Sequence, residues 1–124
     1  MIVRRFLTHG GGASAVEFGL GAPVFFALGA LELGVLFWTN LGLQHATERA
    51  ARCASVNKTI CGSETAIKTY AASQVFGLKV PLSSFAVAQP ACGVQVNASH
   101  EFRFIIGNFG APAVPLQASA CFPK

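Results

Sequence analysis

Aspartate is missing altogether. The five acidic residues are Glu17, Glu32, Glu48, Glu64 and Glu101. Charged residues make up 11% of the 124-residue chain, where an average soluble domain carries roughly 25%. No CxxC, HExxH, GxSxG or Walker lysine occurs, which excludes the common zinc, hydrolase and nucleotide-phosphate signatures. Catalysis needs a positioned acid, base or nucleophile, and few groups remain to supply one. Glu17 and Glu32 flank or interrupt an apolar stretch, Glu48 stands four residues before Arg52 as an i,i+4 pair, and His100–Glu101 reads as a polar turn. His45 reads as an interfacial polar residue. The chain is therefore expected to have no catalytic residue, no metal and no cofactor. A net charge of +4 is too mild to point to nucleic acid.

What is abundant is apolar. Hydrophobic residues are 52% of the chain, which excludes a disordered chain of low hydrophobicity and high charge. The excess lies near the start, where Phe18 to Trp38 reads FGLGAPVFFALGALELGVLFW with Glu32 as its single charge. A helix of that length spans about 31 Å, close to the hydrocarbon thickness of a bilayer. A transmembrane segment over about 18–38 is expected, because the rest of the chain is too short to wrap so long a rod. Arg4 and Arg5 precede the run and no acid comes before Glu17, which puts the N-terminus in the cytoplasm and the remainder outside. A secretory signal would end its apolar region sooner, near Ala27 and Gly29, yet the pattern runs on through Trp38. The twin arginines sit in the context VRRFLTH, a weak export match.

Glu17 is the unusual residue, a carboxylate at the mouth of a membrane helix. A charge at the bilayer centre costs at least about 2.5–3.5 kcal/mol, and less near the interface. The residues before Glu17 read GGGASAV. A cut after Gly12 would make Ala13 the N-terminus, and an α-amine of ordinary pKa about 7.7–8.0 is largely protonated at neutral pH. That amine lies four residues from Glu17, and one from a neighbouring copy could also pair with it. Such a pair would offset the desolvation of Glu17 and hold register between subunits. The cut also removes Arg4 and Arg5, two of the four net positive charges.

A short basic leader, a glycine cleavage point at Gly12, Ala13 as the new N-terminus and Glu17 at the fifth mature position resemble a type IV prepilin. With Ala15 to Phe18, Pro23, Glu32 and the Ala/Arg-rich extension Ala46 to Ala54, the segment of about residues 10–55 is similar to the TadE-like pseudopilins of tight-adherence (Flp) pilus systems. Phe18 stands where the small pilins of these systems often carry Tyr. The resemblance implies a minor pilin or pseudopilin acting in assembly of a type IVc pilus and in cell adhesion. It implies cutting by a prepilin peptidase, packing through an N-terminal helix that carries Glu17, Pro23 and Glu32, and partners among other pilins, pilus platform proteins and membrane lipid. It also implies residence in the bacterial inner membrane, with the C-terminal part periplasmic or incorporated in the pilus. The alternative is a bitopic or secreted envelope protein whose small outer domain is a binding module.

The expected organisation is a leader over 1–12, an N-terminal helix over 13–57 and a small disulfide-stapled periplasmic domain over 58–124. The fold class is α+β and pilin-like: a long transmembrane and amphipathic helix, a short helix and a small antiparallel sheet. Beyond Trp38, Leu43, Ala46, Ala50, Cys53 and Ala54 recur at helical spacing, with an end near Val56–Asn57. A second helix is expected over Glu64 to Phe76, capped by Ser63 and stopped by Gly77, with Ile67, Tyr70, Ala71, Gln74 and Leu78 on one face. Val94, Val96 and Ala98 alternate with polar residues as a strand. Glu101 to Phe109 forms its partner, with Phe102, Phe104 and Ile106 on one face and a turn at Ser99-His100. Leu116 to Phe122 supplies a last edge strand, which Pro115 can only begin or border. Cys53, Cys61, Cys92 and Cys121 allow three connectivities, which spacing does not decide. The pairing favoured is Cys53–Cys61, tying the helix end to the next loop, and Cys92–Cys121, tying the hairpin to the C-terminus. Two disulfides suit a domain too small to rely on its core alone.

Overall fold

The computed structural model describes residues 11–105, 110 and 112–124. The chain divides into two units, residues 1–34 and 35–124. One continuous helix, α1 (Gly11–Val56), belongs to both. In the first unit it is the described element, and its side chains are mostly exposed.

The second unit is α+β. After the C-terminal part of α1 come α2 (Glu64–Ser73), a single 3-10 turn (Leu82–Ser84) and three strands, β1 (Phe85–Ala88), β2 (Val94–Phe102) and β3 (Val114–Phe122). The strands form one antiparallel sheet in the order β1-β2-β3. Its core is built from the sequence periods. Leu43, Ala46, Ala50 and Ala54 recur every three or four residues and are buried, as are Ile67, Ala71 and Val75. From the sheet, Phe85, Val94, Val96, Ala98, Leu116 and Ala118 face the same cluster. The alanine stripe on α1 lets backbones approach closely, while the sheet and α2 supply the bulk.

Asn57 ends α1. Its backbone N–H still donates to the Cys53 carbonyl, but its side-chain Oδ1 accepts from the N–H groups of Thr59 and Ile60 and turns the chain. Cys61 then meets Cys53, with Cα atoms 5.8 Å apart. The second bridge, Cys92–Cys121, joins the β1–β2 loop to β3. Ser63 caps α2, its hydroxyl accepting from Ala66 N–H at 3.2 Å, and Glu64 pairs with Lys68 one turn on at 2.6 Å.

Three expectations change. α2 stops at Ser73, three residues before Phe76, because the chain swings out to bury Val75, whose Cγ1 lies against Gly42. Val75 therefore takes the core place expected of Gln74. No hairpin turns at Ser99-His100: β2 runs straight through both residues to Phe102. Neither residue takes the positive φ that tight hairpin turns demand, and His100 pairs across the sheet with Leu116. The partners of β2 are β1 and β3, so the strand expected at Glu101 to Phe109 reduces to Glu101 and Phe102 at the end of β2. Residues 106–109 lie outside the described residues. Finally, Glu48 and Arg52 are solvent-exposed and form no ion pair among the described residues, which costs the fold little because an exposed pair is worth only about 0–1 kcal/mol.

Gly93 occupies a position where the backbone leaves no room for a side chain. Its φ is +131°, and a Cβ there would overlap the Phe122 carbonyl. Gly93→Ala is expected to destabilise the full chain by about 1–3 kcal/mol, visible as a lower denaturation midpoint in detergent. An unchanged midpoint would mean that the β1–β2 loop yields freely.

Candidate functional site

The residues singled out for assembly lie on the N-terminal part of α1. Gly12, Ala13 and Glu17 are helical, and Ala13 and Glu17 are exposed on one face, one turn apart. Residues 1–10 of the expected leader lie outside the described residues. Pro23 sits inside α1 without ending it. Its ring removes one intrahelical hydrogen bond, a loss that a membrane helix tolerates when neighbouring groups satisfy the freed carbonyl. Glu32 is half-buried in a stretch whose other large side chains, Leu36 apart, are exposed.

Apolar side chains cover this part of the helix all round. Phe18, Leu20, Val24, Phe25, Phe26, Leu28, Leu31 and Leu33 are all at least half exposed. Successive residues turn by about 100°, so neighbours such as Phe25 and Phe26 point in different directions, and no polar face remains for water. A helix apolar on every side belongs in lipid or in the interior of an assembly. α1 is long and apolar enough to cross a membrane, and no residue of its most apolar window is buried within the chain.

The second unit begins where this pattern changes. Thr39 and Thr47 are completely buried, and each hydroxyl donates to a backbone carbonyl within the helix, Val35 and Gln44 respectively, both at 2.8 Å. These residues escaped the sequence reading, although both fall on the Leu43/Ala46/Ala50 stripe. His45, read as an interfacial polar residue, is half-buried with its ring 5.8 Å from that of Phe76. Its Nδ1 is buried without a hydrogen-bond partner. The indole N–H of Trp38 donates to the Phe76 carbonyl at 3.4 Å, a long-range contact with no signal in the local sequence.

Elsewhere the surface offers little chemistry. A shallow cavity of about 420 Å³ opens on the sheet between Ser83, Ser84, Asn97, Ser99, Gln117 and Ser119, with no titratable group in its lining. Among the described residues no three His, Cys or Glu side chains gather as a metal site.

Comparison with known proteins adds one finding. A family model described as TadE-like protein matches residues 12–52. The match covers the apolar helix and its amphipathic extension, begins at Gly12 and leaves the sheet outside. No curated protein and no solved structure matches the chain.

Proposed function

With residues 12–52 matching the TadE-like family, whose members are pilin-like proteins associated with tight-adherence pili, we propose that this chain is a minor pilin or pseudopilin of an Flp (type IVc) pilus. It is inserted in the bacterial inner membrane with its N-terminus cytoplasmic and residues after about 39 periplasmic. A prepilin peptidase cuts it after Gly12, and it packs through α1 against other pilins and platform proteins. It carries no enzymatic activity of its own.

The observation that carries this reading is the N-terminal part of α1, up to about residue 35, apolar on all sides and mostly exposed, with Glu17 one turn from Ala13 at its start. Before the cut, the nitrogen of Ala13 is a neutral amide. After it, the same atom is a cation at the positive end of a helix dipole, where a nearby carboxylate is stabilising. Cleavage thus creates the charge that Glu17 answers, within the molecule or from a neighbour.

The test is the mature N-terminus. Intact-mass and N-terminal peptide analysis of the protein from its native membrane is expected to show Ala13 first. Loss of the leader takes Arg4 and Arg5 with it, so the mature protein has a net charge of +2, two below the full chain. Recovery of Met1 would mark a plain membrane anchor, and a start near Ala30 an ordinary secreted protein.

A further inference from the structure

We infer that the turn Phe76–Lys79 is a second membrane contact of the protein, seated in the lipid headgroup region beside Trp38. This rests on the membrane reading of α1 above, and goes beyond it by assigning a lipid-binding surface outside the helix. The apolar run ends at Trp38, and tryptophan at the end of a span marks the membrane–water interface, where an apolar ring and a polar N–H are both accommodated. Here the protein satisfies the N–H, because the indole donates to the Phe76 carbonyl at 3.4 Å. The ring, 61% exposed, keeps its apolar body free. That bond fixes the depth of the turn: whatever level Trp38 occupies, the backbone of Phe76 occupies too.

The turn is built to present an aromatic there. α2 ends early at Ser73, Val75 dips into the core and Gly77 takes a φ of +75°, so the chain reverses with Phe76 outside. The Phe76 ring is 62% exposed and is braced on one side by His45. Phe37 and Leu41, on the same stretch of α1 as Trp38, are 61% and 65% exposed. Single exposed hydrophobics are ordinary. Phe76 is different because its backbone is hydrogen-bonded to Trp38, the last residue of the apolar run. Lys79 is exposed three residues on. Its flexible stem can follow the apolar surface while its ammonium group reaches lipid phosphate.

The four cysteines are disulfide-bonded, so one added thiol can be labelled alone. The full chain, with a fluorophore at Leu28→Cys, Phe76→Cys or Lys124→Cys, is placed in phosphatidylcholine–phosphatidylglycerol vesicles containing lipids quenching at the headgroup or deep in the acyl chains. Position 28 is expected to lose emission to the deep quencher and position 76 to the shallow one. Position 124 should lose it to neither, because the chain end lies beside Ser55, far along α1 from Trp38. Lys79→Cys leaves the phenyl ring in place and should behave as position 76 does. The single tryptophan, Trp38, reports the interface level in the unlabelled chain. Quenching at 28 with none at 76 or 79 overturns the inference while leaving the span intact. No quenching at 28 overturns the membrane reading and this inference with it. Shielding at 76 that depends on protein-to-lipid ratio rather than on quencher depth overturns it in favour of a protein partner.

Discussion

Replacing Glu17 with alanine is expected to leave membrane insertion intact and to abolish incorporation into the pilus. Insertion loses nothing, because the change removes a charge whose transfer into lipid is unfavourable. In the proposed mature form, assembly loses the partner of the Ala13 amine. Removing one member of a buried ion pair typically costs about 3–5 kcal/mol, because the other charge is left desolvated and unanswered. Even a third of that is a tenfold loss of affinity per contact, and a repeating assembly meets the loss at every addition. Glu17→Gln keeps the shape and removes the charge, and should fail in the same way. The two measurements are membrane fractionation and the amount of mature chain in sheared pili. A normal amount of either variant in pili would remove the ion pair from the mechanism. Loss of the protein from the membrane fraction would assign Glu17 a role in insertion instead.

The second large effect concerns the disulfides. The Cys53–Cys61 bridge spans 8 positions and Cys92–Cys121 spans 29. Loop-closure entropy in the unfolded chain assigns them about 2.5 and about 3.5 kcal/mol. Their sum of about 6 kcal/mol is comparable with the whole stability of a small domain, roughly 5–15 kcal/mol. Cys92→Ala with Cys121→Ala should therefore lower stability by about 1 kcal/mol more than the Cys53/Cys61 pair of changes. Removing both bridges should leave the 35–124 unit largely unfolded at physiological temperature. Denaturant titration of the full chain in detergent, followed by backbone circular dichroism and Tyr70 fluorescence, checks both statements. A reversed order would show that packing around Cys61, which is buried, outweighs loop length. The dependence also fits the proposed compartment, since such bridges persist in the oxidising periplasm and not in the cytosol.

The helix and its apolar surface were legible because their signals are local. Twenty-one residues from Phe18 to Trp38 with one charge admit few structures, and the stripe Leu43, Ala46, Ala50 and Ala54 identifies the face of α1 that is buried. The family resemblance was carried by the same segment, within residues 12–52. The sheet was legible in kind but not in pairing. Ser99-His100 looks like a turn because two polar residues interrupt an apolar alternation. Yet His100 keeps the alternation in phase, and the strand continues because β3 presents Leu116 and Pro115 opposite His100 and Glu101. The length of α2 was overestimated for a related reason: helix propensity extends to Phe76, but burying Val75 outweighs one more turn.

Hydrophobic period, length and the placement of Glu17 belong to the chain alone, because each depends on residues within a few turns of one another. They specify an apolar helix, an α+β unit after it and a resemblance to TadE-like pilins. Which strand pairs with which, where α2 lets go and the meeting of Trp38 with Phe76 depend on residues 12 to 38 positions apart, as in β2 with β3 and in the Trp38–Phe76 bond. Contacts at that separation form only when the core closes over them, and no local pattern encodes them.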